Sequence, residues 1–126
     1  MIKEIRTDNA PPALGPYSQA IQAGDFIFVS GQIGVKPNGE VAEGIEGQTH
    51  QVLKNLQEIL KEAGADFSDV VKFTIFLSSM DDFETVNEIY ASYVKKPYPA
   101  RATVEVARLP KDLLVEMEAI VYKKSE

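Results

Sequence analysis

The sequence predicts an α+β domain in which two amphipathic helices pack on one face of a mixed β-sheet. Three observations carry this. Apolar residues recur at three- and four-residue steps from Ile45 to Ala63, they do so again from Phe83 to Tyr93, and they alternate with polar residues in the neighbouring segments. A helix with one apolar stripe must bury it against another layer, and the alternating segments supply a sheet face. The length of 126 residues, with 44% hydrophobic and 25% charged, fits one globular domain over 1–126 with an ordinary core.

In chain order, Ala10-Pro11-Pro12-Ala13-Leu14-Gly15-Pro16 is an irregular lead-in, because each proline fixes φ and removes a backbone donor. Strands are expected only after it. Residues 17–23 and 26–33 flank Gly24-Asp25 and read as a hairpin, and Pro37-Asn38-Gly39 marks another turn. Ile45, Val52, Leu53, Leu56, Ile59, Leu60 and Ala63 form the stripe of a helix ended by Gly64. Val71, Phe73, Ile75 and Leu77 then alternate with Lys72, Thr74, Phe76 and Ser78, the period of a strand. Asp81-Asp82-Phe83-Glu84 opens the second helix with a capping-box pattern, Phe83, Val86, Ile89, Tyr90 and Tyr93 form its buried stripe, and Lys95-Lys96-Pro97 closes it. The order is strand, strand, strand, helix, strand, helix, strand, strand.

In the last two strands Ala102, Val104 and Val106 alternate with Thr103, Glu105 and Ala107, while Leu113, Val115, Met117, Ala119 and Val121 alternate with Leu114, Glu116, Glu118, Ile120 and Tyr122. The apolar sets are expected against the helices. A hairpin turning near Pro110-Lys111 would bring Thr103, Glu105, Glu116 and Glu118 together on the other face. That face is too apolar for plain solvent and too polar for a dry core, so it predicts a wet interface between copies of the chain, a homo-oligomer with clefts at its seams. With residue 105 opposite 116, Arg101 stands four positions, or roughly 13 Å, from the level of Glu116. Either the arginine bends back, or the turn shifts the register, or one of the two comes from a neighbouring subunit.

Composition narrows the chemistry. Thirteen basic against nineteen acidic residues give a net charge of −6, which opposes the phosphate contacts of nucleic-acid binding. The absence of Cys removes thiolate nucleophiles and soft metal ligation. The lone His50 has no HxxE or HxH spacing and reads as a solvated or lightly packed helix residue, so no metal site is expected. Residues 34–39 lack the Gly-Lys-Ser/Thr ending of a phosphate loop, and no nucleotide site is expected there. No apolar run is long enough to span a membrane, and Met1 to Arg6 lack the stretch of a secretory signal, which reads as a cytoplasmic protein.

Pro99-Ala100-Arg101-Ala102-Thr103-Val104-Glu105-Val106-Ala107-Arg108-Leu109-Pro110-Lys111-Asp112, followed by Val115-Glu116-Met117-Glu118-Ala119-Ile120, resembles the C-terminal signature of the Rid family, the reactive intermediate deaminases also called YjgF-like. Gly15-Pro16-Tyr17-Ser18-Gln19-Ala20 resembles the family's N-terminal motif, and Val29-Ser30-Gly31-Gln32-Ile33 its second strand. The resemblance covers essentially the whole chain. It implies a chorismate-mutase-like fold, a homotrimer with the second sheet face toward the trimer core, and ligand clefts between subunits. It also implies hydrolysis of 2-imino acids or their enamine tautomers, such as 2-iminobutanoate and 2-iminopropanoate released by pyridoxal-phosphate enzymes, to 2-oxo acids and ammonia without a cofactor. Non-catalytic binding or sensing of 2-oxo acids or amino acids is the alternative, and endoribonuclease activity is disfavoured by the acidic charge.

Read alone, Arg101 is more readily a surface or ion-paired arginine than a ligand clamp. The resemblance makes it a bidentate clamp on the substrate carboxylate. Glu116, between Val115 and Met117, needs a partner if buried. Its alternatives are a structural ion pair or, as the resemblance implies, the group that positions water and moves protons. The resemblance places Tyr17, Ser30, Gly31, Asn87 and Thr103 beside the substrate. Thr103 stands where many relatives have Cys, so a thiol role lapses and a role for the local backbone N–H survives. Tyr17 also reads as a half-buried aromatic, Gly31 as a packing or bulge glycine and Asn87 as a surface residue, while Glu105 and Glu118 read as solvated or salt-bridged rim acids.

Overall fold

In a computed structural model, residues 2–123 are described; Met1 and residues 124–126, included in the expected domain bounds and the N-terminal reading, lie outside the described residues. The strands β1 (Ile2–Ile5), β2 (Ala20–Ala23), β3 (Phe26–Ile33), β4 (Val70–Leu77), β5 (Ala100–Glu105) and β6 (Val115–Tyr122) form one sheet in the order β1-β2-β3-β6-β4-β5. All neighbours are antiparallel except β4 and β5, so the sheet is mixed. Helices α1 (Gly44–Glu62) and α2 (Phe83–Ala91) lie on one face. Between them and the sheet, Val52, Leu53, Leu56, Ile59 and Leu60 of α1 meet Ile27, Phe73, Ile75, Leu77, Val115 and Met117, all at most 1% exposed. Gly64 ends α1 at φ +76, where Gly64 N–H reaches the Lys61 carbonyl and Ala65 N–H the Leu60 carbonyl, as the sequence leads one to expect.

Several expectations are corrected. A strand does precede the proline lead-in, and only two of the three strands expected between it and the first helix are there: β1 pairs with β2, but with only Ile5 buried it carries no alternating signal. The first hairpin turns at Gly24-Asp25, yet β2 begins at Ala20, leaving Tyr17, Ser18 and Gln19 outside the strand. Val71 is exposed, because a bulge between Val70 and Lys72 shifts the parity of β4 at its start. The capping box expected at α2 does not form. Instead the preceding turn Met80–Asp82 is held by Ser79 Oγ, which accepts the Asp81 N–H, and by Glu105 Oε1, which accepts the Met80 N–H at 2.8 Å.

The largest correction concerns β5 and β6, which are not a hairpin. The β4–α2–β5 crossover sets β5 parallel to β4 at the sheet edge, and the chain then crosses back so that β6 lies between β3 and β4. Alternation assigns faces but not neighbours. The strand with four fully apolar inward positions, Val115, Met117, Ala119 and Val121, takes the centre, whereas every residue of β5 but Thr103 is exposed. The β5 faces are also reversed. Pairing of Phe73 with Arg101, Ile75 with Thr103 and Leu77 with Glu105 puts these three on the helix side, while Ala102 and Val104 share the outer face with Phe76, Glu116 and Glu118. The expected quartet of Thr103, Glu105, Glu116 and Glu118 therefore splits in two.

Candidate active site

Arg101 projects from the edge strand over α2. Phe83, Asn87 and Tyr90 are spaced four and three residues apart, so one side of α2 offers an amide between two rings. Arg101 Nη1 donates to Asn87 Oδ1 at 2.6 Å, and the guanidinium carbon lies 5.1 Å from the Tyr90 ring centre and 5.7 Å from that of Phe83. Arg101, Asn87 and Tyr90 line an open cleft with Ala91, Val94, Tyr98 and Pro99. Arg101 has no carboxylate partner among the described residues, so most of its donor fork remains available. The Tyr90 and Thr103 hydroxyls are buried nearby on the same side of the sheet without hydrogen-bond partners among the described residues. Burial pushes the Tyr90 phenol above its ordinary range, against the pull of the Arg101 cation.

Glu116 occupies the other face. It pairs with Ile33 of β3 and Phe76 of β4, beside a bulge between Val29 and Gln32 that contains Ser30 and Gly31. A Cβ on residue 31 would fall 2.8 Å from Glu116 Cδ and 3.1 Å from its Cγ, so the glycine is the space in which the acid sits. Ser30 donates from Oγ to the Ser18 carbonyl at 2.6 Å and from its N–H to the Gln19 carbonyl at 2.9 Å. The bulge is thus fixed to the chain just after Tyr17. Tyr17 is 53% exposed, and its hydroxyl accepts the Leu14 N–H at 3.4 Å. Pro11, Leu14, Tyr17, Gly31, Ile33 and Lys111 are among the residues bounding a second cleft here.

Glu116 makes no hydrogen bond or ion pair among the described residues. Burial raises its carboxyl above the ordinary carboxylate range, and the negative charge of Glu118 adds to the effect. Such an acid exchanges protons nearer neutrality than an exposed one, which suits it to take a proton from water and return it.

The expected site residues therefore form two groups. Arg101, Asn87 and Thr103 stand on the helix side of the edge strand; Tyr17, Ser30, Gly31 and Glu116 gather at the β3 bulge and β6. The hairpin distance between Arg101 and Glu116 lapses, because β4 separates their strands and their side chains leave opposite faces. Glu105 is exposed, as a solvated acid would be, and also accepts the Met80 N–H of the turn before α2. His50 is exposed and pairs through Nδ1 with the Tyr93 hydroxyl at 2.7 Å. Tyr90 and Phe83 as ring walls for Arg101 were not anticipated, although the spacing of Phe83, Asn87 and Tyr90 carries that signal. Among the described residues no three His, Asp or Glu side chains cluster as a metal would require, and no helix is long and apolar enough to cross a membrane.

Comparison with known proteins supplies a further finding. A family model described as Endoribonuclease L-PSP matches residues 7–123. A RutC family protein of Pyrococcus horikoshii is 52% identical, covering 98% of this chain and all of the relative. The mouse 2-iminobutanoate/2-iminopropanoate deaminase is 52% identical over 96% of this chain and 91% of its own. The crystal structure of RidA from an Antarctic Psychrobacter superposes with a TM-score of 0.93 at 45% identity, covering 95% of this chain and 98% of that one.

Proposed function

The chain belongs to the Rid family, the YjgF-like or L-PSP proteins, and from that premise we propose that it hydrolyses 2-imino acids and their enamine tautomers to 2-oxo acids and ammonia. The single observation that carries this reading is the state of Arg101. It is held by neutral groups, the Asn87 amide and two rings, and among the described residues has no carboxylate of its own. A planar cation kept open in this way matches the carboxylate that 2-imino and 2-oxo acids share.

The clamp fixes the imine carbon, and Glu116 directs a water at it. As the water oxygen bonds to that carbon, Glu116 accepts the water's proton and delivers it to nitrogen. The carbinolamine then collapses: its hydroxyl proton passes through Glu116 to the nitrogen, the C–N bond breaks and ammonia departs, and the remaining C–O bond becomes the carbonyl of the 2-oxo acid. One water is consumed and one ammonia released, and no electrons change hands. A substrate of three or four carbons cannot reach across a sheet, so Arg101 and Glu116 of one site come from different subunits. The outer face supports this, since Phe26, Phe28, Val104 and Tyr122 expose 43–47% of their surface there. Burying such apolar area stabilises association by about 25 cal/mol per Å². We place that face toward the core of a homotrimer, in keeping with the family. Endoribonuclease activity, named in the family description, is opposed by the net charge of −6.

The test generates 2-iminobutanoate in solution with an amino-acid dehydratase or oxidase and follows its decay and the release of ammonia. The protein is expected to accelerate both, and Arg101→Ala and Glu116→Gln to abolish the acceleration. Saturable 2-oxo acid binding with no acceleration at stoichiometric protein would replace the enzyme reading with that of a binder.

A further inference from the structure

Gln19 belongs to the N-terminal motif, yet the proposed chemistry gives it no role. It is 3% exposed and its carboxamide is fully engaged. Oε1 accepts the Thr7 N–H at 2.7 Å, while Nε2 donates to the carbonyls of Pro11 at 2.8 Å, Thr7 at 3.1 Å and Ala10 at 3.4 Å. These partners lie in a segment that no strand pairs, and its Pro11 and Pro12 have no N–H to contribute. The main chain of Gln19 is engaged as well, because its carbonyl accepts the Ser30 N–H at 2.9 Å. Ser30 precedes Gly31, the residue that makes room for Glu116. One residue thus ties the lead-in to the bulge under the acid, two positions after Tyr17.

We infer that Gln19 is a positioning residue for the candidate site: its carboxamide holds residues 7–11 so that Pro11 to Leu14 stand as the wall of the cleft bounded by Gly31 and Tyr17. A carboxamide suits the task because it presents an acceptor and two donors in one plane. Leucine of similar size leaves all four partners unmet, and glutamate keeps the acceptor but turns a charge toward three carbonyls. Tyr17 loses its hydroxyl partner, the Leu14 N–H, when that wall moves. The inference rests on the proposed function in placing the substrate in this cleft.

The test measures Gln19→Leu and Gln19→Glu for imine turnover, for binding of 2-oxobutanoate by NMR titration, and for melting. KM and the 2-oxobutanoate Kd are expected to rise on the order of tenfold while kcat stays within about threefold, because neither Arg101 nor Glu116 touches Gln19. Val52→Ala, on the buried face of α1, serves as the stability control and should lower Tm without moving Kd. If Gln19→Leu does not fold, Gln19→Glu is judged by the same criterion. Unchanged Kd in the folded variant, with Tm lowered as in Val52→Ala, overturns the inference and leaves Gln19 a structural residue. If the unmutated protein binds 2-oxobutanoate without accelerating imine decay, the proposed reaction fails while the binding arm still decides the role of Gln19. If it binds none, the cleft is not a substrate site and the inference falls.

Discussion

Replacing Gly31 by alanine separates the seat of the acid from the stability of the sheet. The new Cβ would stand 2.8 Å from Glu116 Cδ, whereas ordinary carbon contacts lie at about 3.5–4.0 Å, so the carboxylate must move by about 1 Å. Gly31 is not among the residues with positive φ, and the obstructing atoms belong to a side chain that can rotate. The cost to folding is therefore that of an off-rotamer glutamate, about 1 kcal/mol, or roughly 3–6 °C in Tm for a chain of this size. The cost to chemistry is larger, since a 1 Å misplacement of a reacting group lowers rate by about 10²-fold. Imine decay at saturating substrate gives kcat, and calorimetry gives Tm. In a Glu116→Gln background, where the acceleration is already abolished, Gly31→Ala should change only Tm, because the group it displaces has lost its function. A kcat within twofold of the unmutated protein would refute the reasoning, and so would a fall in Tm beyond about 10 °C, which would make Gly31 a packing requirement of β3.

Two further outcomes follow from the same geometry. Glu116 has its carboxyl raised in the folded chain, so the native state holds that proton more tightly than the unfolded one, and stability declines as pH rises from the ordinary value of 4.5 through the raised one. Glu116→Gln removes this decline: its Tm advantage over the unmutated protein should grow across that window and then level, and a pH-independent difference would argue against a raised carboxyl. At Gly34 an added Cβ would lie 2.6 Å from Gln48 Cβ and 2.8 Å from its Cα, which belongs to the α1 backbone and cannot rotate away. Gly34→Ala should therefore cost about 3 kcal/mol by denaturant unfolding and weaken the bond from the Leu114 N–H to Gln48 Oε1; a loss under about 1 kcal/mol would show that α1 can shift.

Much of the fold is legible because local periodicity is strong. The stripe of α1 and its Gly64 stop, the Gly24-Asp25 turn and the buried alternation of β6 all stand as read. Failures occur where local pattern carries no information about neighbours. β1 has one buried residue and is a strand only because β2 pairs with it. Val71 reads as inward until the bulge at Val70 is counted. The acids at α2 look like a capping box, but Glu105 from another strand reaches the turn first. At the site, residue types were legible from the motifs, whereas Gln19 and Tyr90 emerged only once their partners were in place.

The sequence by itself determined an α+β chain with two amphipathic helices, a last strand rich enough in apolar residues to be buried, and the motifs around Arg101 and Glu116 that resemble the Rid family. Only the tertiary structure decided that β6 lies between β3 and β4, that β5 runs parallel at the edge, and that Arg101 and Glu116 leave opposite faces of the sheet. The physical reason is that side-chain alternation encodes which residues share a face within one strand, while strand order is set by which strands, brought together by long connections, bury the most apolar surface.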